Sequence, residues 1–279
     1  LKIFTTKKSL AEHLEQSRRD GKKIGFVPTL GALHQGHLSL LTLAQQRSDE
    51  VVFSIFVNPT QFNDPKDLEK YPRPIASDIE KLEQAGCDIL FNPEVNEMYA
   101  GNEQWHLDLG ELEHLLEGKF RPGHYQGVTQ VVYKLFDIVK PDIAFFGQKD
   151  YQQFLVIQKM VELLHLPVEL VMCPILRETD GLAMSSRNIH LSATDREHAL
   201  LLSKTLNWLK QNFDRSMIPS LSGECEAIIS AEPGVQLEYF EIADGDNLHN
   251  ADQYTKKIVV LVAAKVGSTR LIDNVIISD

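Results

Sequence analysis

Val27-Pro28-Thr29-Leu30-Gly31-Ala32-Leu33-His34-Gln35-Gly36-His37 joins an apolar strand pattern to a helical one across two glycines and two histidines. Upstream, Lys23 to Val27 reads as a strand; downstream, Leu38, Leu40, Leu41 and Leu43 give a helix running to about Arg47. A strand that feeds a helix through Gly31 and Gly36 lets the backbone approach a ligand closely. It also leaves the first helical N–H groups facing outward, where the helix dipole favours an anion. His34 and His37 are three apart, so both imidazoles fall on one side of the helix start, beside that anion. The same spacing also occurs in half of a zinc site or on plain surface, but no nearby group of Cys, His or Glu completes a zinc site.

The strand-then-turn pattern recurs along the chain. Val51 to Val57 is a continuous apolar run of the kind buried inside a parallel sheet, and it ends at Asn58-Pro59-Thr60-Gln61-Phe62. Ligands of open α/β sheets lie at the carboxyl ends of the strands, which makes Asn58 and Gln61 candidates for holding a small polar molecule as well as turn formers. Asp142 to Phe146 ends at Gly147-Gln148-Lys149-Asp150, before a helix marked by Phe154, Leu155, Ile157 and Val161. A glycine, a lysine and a helix start repeat the anion-binding arrangement, with a surface Lys149–Asp150 pair as the alternative. Val168 to Met172 leads through Cys173-Pro174-Ile175-Leu176-Arg177 to Asp180-Gly181-Leu182-Ala183-Met184-Ser185-Ser186-Arg187-Asn188. Two hydroxyls, a guanidinium and an amide in four residues suit a polyphosphate, and a solvated polar turn is the plainer alternative.

Between and around these segments the pattern is ordinary. Ser9 to Glu12 reads as a capping box opening a helix that ends near Arg19, with Gly21 as its stop. Asp78 to Ala85 reads as a helix stopped by Gly86, Asp88 to Phe91 as a strand, Gln104 to Leu109 as an alternating β segment, and Leu112, Leu115 and Leu116 as a short helix. Arg121 to Gly127 is a breaker-rich loop, and Val128 to Val139 a core helix. After Arg187 the order changes. Ser192 to Asp195 caps a long helix with a stripe of Leu202, Leu206, Leu209 and Phe213, a second helix follows near Glu224 to Ile229, and three β segments close the chain at Val235–Ile242, Ile258–Val266 and Thr269–Ile277. The expectation is an α/β fold with two domains: a Rossmann-like parallel sheet over 1–176 and a smaller α+β domain over 177–279.

Composition narrows the function. With 279 residues, 43% hydrophobic and 24% charged, the chain has ample core, and no run of ~18 apolar residues is present to span a membrane. The start reads as an amphipathic helix around Leu10 and Leu14 rather than a leader. Three widely spaced cysteines, Cys87, Cys173 and Cys225, fit reduced thiols and a cytoplasmic location. A formal net charge of -11 argues against nucleic acid as a partner. An anionic ligand must therefore meet a local cluster, for which His34, His37, Lys149, Arg177 and Arg187 are the candidates.

His-x-Gly-His directly after a strand resembles the signature of the nucleotidyltransferase superfamily. Taken together, Pro28 to His37, Ser54 to Phe62, Arg121 to His124, Phe146 to Gln153 and Gly181 to Asn188, in that order, resemble the pantothenate synthetase (pantoate:beta-alanine ligase) family from end to end. The resemblance implies that ATP adenylates pantoate with loss of pyrophosphate, and that beta-alanine then attacks the pantoyl adenylate to give pantothenate and AMP. It implies His37, His34 and Lys149 as catalytic residues. For ATP binding it implies Leu30, Gly31, Ala32, Leu33, His34, Gln35, Gly36, His37, Gly147, Gln148, Lys149, Asp150, Leu176, Met184, Ser185, Ser186 and Arg187. Gln61 and Gln153 would bind pantoate, and Gln61 also beta-alanine. Mg2+ would enter through the ATP phosphates, with no metal site of the protein's own. A homodimer formed through the N-terminal domain and a C-terminal domain acting as a lid are further implications.

Three positions depart from the family pattern: Leu30 where many members have Met, Gln148 where Glu is common, and Gln126 where many carry Arg. Two rival readings are a nucleotidyltransferase that keeps the nucleotide in its product and a catalytically silent nucleotide-binding regulator. Asn58 to Phe62 and Gln152-Gln153 argue against the first, because paired amides suit a small hydroxy acid. Donors suited to both ends of a triphosphate argue against the second.

Overall fold

The structure is a computed structural model that describes residues 1–99, 101 and 103–277. The chain separates into two compact units, Leu1–Gly147 with Gln153–Cys173, and Gln148–Gln152 with Pro174–Asp279.

In the first unit the chain runs β1 (Lys2–Phe4), α1 (Lys7–Arg19), β2 (Ile24–Thr29), α2 (Gln35–Arg47), β3 (Glu50–Ile55), α3 (Pro65–Lys70), α4 (Ile75–Gln84), β4 (Ile89–Phe91), α5 (Val95–Met98), α6 (Leu116–Phe120), α7 (His124–Val139) and β5 (Ile143–Gly147). Then follow α8 (Tyr151–Leu163), whose first two residues group with the second unit, and β6 (Glu169–Cys173). All six strands pair in parallel in the order β1-β4-β3-β2-β5-β6. The chain winds from β2 outward to β4 on one side and from β5 to β6 on the other. The order therefore reverses between β2 and β5, and a crevice at such a switch point is where open α/β sheets bind ligands. Every residue of β3 is buried, Glu50 and Ser54 included, as a central strand covered on both faces requires and as its mainly apolar sequence encodes.

The second unit contains α9 (Ala193–Gln211), α10 (Ile218–Ser230) and an antiparallel sheet of β7 (Val235–Asp244), β8 (Ile258–Val266) and β9 (Thr269–Ile277), with β8 in the middle. Leu202, Leu206 and Leu209 of α9 share a core with Ile229, Phe240, Val260 and Val262. Ser192 caps α9 by accepting from Asp195 N, as its sequence implies.

Several local expectations shift. Thr6, not Ser9, caps α1: its Oγ1 accepts from the Ser9 N–H. The helix expected from Asp78 begins at Ile75, which puts Asp78 in its first turn. Gln104 to Leu109 forms no strand. The Leu107 N–H donates to Gln126 Oε1 and the Leu107 carbonyl accepts from Gln126 Nε2, so a side-chain amide occupies the groups a neighbouring strand would need. The helix expected near Leu112 to Leu116 is a 3-10 turn at Gly110–Glu113 followed by the short α6. All three cysteines are free and buried, and burial pushes the Cys87 thiol up to about 12.

Candidate active site

At the end of β2, Thr29 Oγ1 donates to the Ser54 carbonyl at 2.7 Å and accepts from the Gly31 N–H at 3.3 Å, starting a tight turn. Gly31 has φ +90, and a Cβ there would stand 2.8 Å from Ile55 Cγ2, so both conformation and space demand glycine. Ala32 follows with φ 52, a left-handed backbone that an L-residue adopts only under constraint. The constraint is Asp78. Its side chain, 1% exposed, accepts from Ala32 N at 2.7 Å and from Leu33 N at 2.8 Å. Lys81, one turn along α4, donates to the Leu33 carbonyl at 2.8 Å and lies 3.6 Å from Asp78 Oδ1. One ion pair, its carboxylate buried and its lysine part-exposed, thus takes both sides of the Leu33 backbone.

His34 is the N-cap of α2, with Gln35 exposed and Gly36 and His37 half-buried behind it. The His34 N–H donates to His37 Nδ1 at 3.3 Å. A ring nitrogen that accepts carries no proton, which places the ring proton of His37 on Nε2. The two rings lie 4.0 Å apart between centroids at 32°. The Ala32 and Leu33 amides are turned to Asp78 and the His37 and Leu38 amides to the His34 carbonyl, so the backbone donors this turn can offer an anion are the Gln35 and Gly36 amides at the start of α2.

Asn58 and Gln61 follow β3 at the same sheet edge, in a 3-10 turn over Pro59–Gln61. Asn58 is fully buried. Its Nδ2 donates to Gln61 Oε1 at 3.2 Å and to the Gly127 carbonyl at 3.1 Å, while its Oδ1 accepts from Tyr99 Oη at 2.7 Å and Thr60 Oγ1 at 3.1 Å. Burial pushes the Tyr99 hydroxyl up, which keeps it a donor. With Gln61 Oε1 accepting, the Gln61 NH2 is the end left to meet an acceptor such as a carboxylate or hydroxyl oxygen. Gly127 lets α7 approach this turn: a Cβ there would collide with the Thr60 carbonyl. His124 joins the Gln61 carbonyl through Nδ1 at 2.7 Å, so this histidine of the Arg121–His124 segment braces the Gln61 backbone. Gln153 is half-buried on α8.

In the second unit, Gln148–Asp150 form a 3-10 turn ahead of α8. Lys149 Nζ lies 3.7 Å from the half-exposed Asp150 carboxylate. Asn274 of β9, 1% exposed, accepts from Gln148 Nε2 at 3.0 Å and donates from Nδ2 to the Gln148 and Lys149 carbonyls, each at 2.9 Å. Beside it, Asp273 takes Arg177 in two bonds, Nη1 at 2.6 Å and Nη2 at 3.0 Å, and Arg177 Nη1 also reaches the Gly181 carbonyl at 3.1 Å. Arg177, a candidate anion ligand on sequence, is instead a tie between β9 and the loop that follows it.

That loop is closed by Met184 N donating to the Leu176 carbonyl at 3.1 Å, with Leu176 exposed and Met184 half-buried. Ser185 Oγ accepts from Arg187 N at 3.2 Å, capping the 3-10 turn Ser186–His190 and retaining its own O–H to donate. Ser186 and Arg187 are half-buried. Gly147, the last residue of β5, remains with the first unit.

The comparisons with known proteins now bear on this arrangement. The family model for pantoate-beta-alanine ligase matches residues 2–276. The chain belongs to the pantoate-beta-alanine ligase family. It is 47% identical over 265 residues to the pantothenate synthetase of Desulfitobacterium hafniense, covering 94% of this chain and 93% of that one. It is 45% identical over 275 residues to that of Aquifex aeolicus, covering 98% and 97%. Among solved structures, pantothenate synthetase from Thermus thermophilus superposes with a TM-score of 0.93 at 37% identity over 100% of both chains. Pantoate-beta-alanine ligase from Francisella tularensis, complexed with beta-gamma ATP and beta-alanine, gives 0.82 at 35% identity over 99% of this chain and 97% of that one.

The activity of a pantoate-beta-alanine ligase is to join a carboxyl group to an amine in an amide bond, yielding pantothenate. In that light the departures from the family pattern acquire local explanations. Gln126, in place of a common Arg, is occupied by Leu107 and by Glu113 Oε2, which accepts from its Nε2 at 2.7 Å. Gln148, in place of a common Glu, gives Asn274 a donor where a carboxylate would offer a second acceptor. Leu30 is half-buried at the turn. The residues sequence reading missed are Asp78, Tyr99 and Asn274, each buried or partly buried, polar, and bonded to a motif far away in the chain.

Proposed function

We propose that the protein condenses pantoate with beta-alanine in two half-reactions driven by ATP. In the first, a pantoate carboxylate oxygen attacks the α-phosphorus of ATP, the bond from that phosphorus to the bridging oxygen breaks, and pyrophosphate leaves. In the second, the neutral amine of beta-alanine attacks the acyl carbon of the pantoyl adenylate, the acyl–oxygen bond breaks, AMP leaves with the bonding pair, and the amine gives its extra proton to solvent. The observation that carries this reading is the His34–His37 pair at the head of α2, which follows β2 at the switch point of the sheet. An anion must attack a polyanion, so the work is charge neutralisation and positioning more than proton transfer.

In this reading His34, His37, Gly147 and the 30–36 turn act toward ATP, and Gln61 and Gln153 toward pantoate, with Gln61 also meeting beta-alanine. Gln148, Lys149, Asp150, Leu176 and Met184 to Arg187 also act toward the nucleotide. His37, His34 and Lys149 act on the phosphates. The Francisella tularensis complex with beta-gamma ATP and beta-alanine supports the choice of substrates. Mg2+ accompanies the triphosphate. Among the described residues no group of three or more His, Cys, Asp or Glu is arranged to hold a metal, and Mg2+ commonly binds through substrate phosphates with its remaining waters.

The free, buried cysteines support a reducing, cytoplasmic setting, and no helix of the described residues is long and apolar enough to cross a membrane. A homodimer, as the resemblance implies, is checked by light scattering. The reaction itself is tested by following AMP and pyrophosphate with ATP, pantoate and beta-alanine, each omitted in turn. Both products should require pantoate, and pantothenate should require all three. Transfer of the nucleotidyl group into a stable final product would replace this reading with that of a nucleotidyltransferase.

A further inference from the structure

The geometry points to Asn274 as a positioning residue for the nucleotide, acting through Lys149. This rests on the reading that Lys149 binds the ATP phosphates. Asn274 lies on β9, 125 residues from Lys149, with only 1% of its surface exposed. Its amide is used completely: Oδ1 accepts from Gln148 Nε2, and both Nδ2 protons go to the consecutive carbonyls of Gln148 and Lys149. A buried amide satisfied at every position fixes what it touches, because releasing any one bond leaves a polar group buried without a partner.

What it fixes is the direction of the two peptides. In a planar trans peptide the C=O and the following N–H point opposite ways. Holding the Gln148 and Lys149 carbonyls against Asn274 therefore turns the Lys149 and Asp150 N–H groups away from β9, at the start of α8. Those amides and the Lys149 side chain, whose Nζ lies 3.7 Å from the Asp150 carboxylate, stand together at a helix N-terminus, of the kind that receives phosphate. Asp273, the preceding residue, ties Arg177 of the following loop in two hydrogen bonds. A short stretch of the C-terminal strand thus sets both segments assigned to the nucleotide in this unit.

The test is a double-mutant cycle on the full-length enzyme with Asn274→Ala, Lys149→Ala and the pair, reading KM for ATP and for pantoate, kcat, and thermal unfolding. Asn274→Ala removes two donated hydrogen bonds and should raise KM for ATP by about tenfold, leaving KM for pantoate within about twofold. In the Lys149→Ala background the same change should add little, since coupled residues are not additive. Full additivity in the cycle, or a change in pantoate KM as large as that for ATP, overturns the inference and leaves the Lys149 reading standing. A Lys149→Ala enzyme with unchanged ATP dependence overturns that reading itself. Asn274→Ser keeps one hydroxyl donor and should recover part of the ATP affinity. It carries the cycle if the alanine variant does not fold, and a serine variant that folds and binds ATP like the parent also overturns the inference.

Discussion

The His34–His37 turn of the first unit and the Gln148–Asp150 turn of the second are both short segments between a strand end and a helix, both assigned to phosphate in the proposed function, yet they are held in opposite ways. Asp78, a carboxylate, holds the first by accepting from two consecutive N–H groups. Asn274, an amide, holds the second by donating to two consecutive carbonyls. The first arrangement consumes backbone donors, so in the proposed function the phosphates fall to the imidazoles and the start of α2. The second consumes backbone acceptors and turns the intervening amides outward. Which backbone groups the buried anchor takes decides whether side chain or main chain is left for the substrate.

The strongest challenge to this contrast is His37→Ala. If side-chain donors dominate at the first turn, loss of one preorganised donor to a developing phosphate charge should lower kcat roughly 10²-fold to 10³-fold, with a smaller change in ATP affinity. Poor ATP binding with a normal rate of adenylate formation would make His37 a plain binding residue. Next in size is Asp78→Ala. Leaving the Ala32 and Leu33 amides and Lys81 without their buried partner should cost about 3 kcal/mol of stability, read as a shift of the urea midpoint, and on the order of tenfold or more in kcat. An unchanged midpoint would mean that the turn is held by something other than this carboxylate.

Smaller effects sharpen the same picture at the neighbouring sites. Gln61→Ala should raise the pantoate requirement by about tenfold and the ATP requirement far less, whereas Tyr99→Phe, which removes the hydroxyl that orients Asn58, should raise pantoate KM by about 2-fold to 10-fold. Equal changes for both substrates would show that this pocket is wrongly assigned. Gln148→Glu should be mildest. Adding one charge beside the nucleotide turn and removing a donor to Asn274 should raise KM for ATP by about threefold, and a clear fall would show that the carboxylate helps rather than hinders this chain.

What the sequence makes legible is local. Glycines that permit a turn, histidines at helical spacing and unbroken apolar strands state their roles within a dozen residues, and the parallel sheet and the separate C-terminal sheet follow from them. What it hides is bonded at long range. Asp78 meets Leu33 across 45 residues, Tyr99 meets Asn58 across 41, and Arg177 meets Asp273 across 96, which is why Arg177 passes for an anion ligand when only its neighbours are known. The alternation of Gln104 to Leu109 misleads for a related reason: its backbone is satisfied by the side chain of Gln126, which no periodicity records.

The most direct measurement of the central claim is exchange of labelled pyrophosphate into ATP by the wild-type enzyme. Adenylate formation as a separate first step requires exchange that depends on pantoate and proceeds without beta-alanine. Absence of exchange under those conditions, with full pantothenate production once beta-alanine is added and pyrophosphate shown to leave freely, would contradict it.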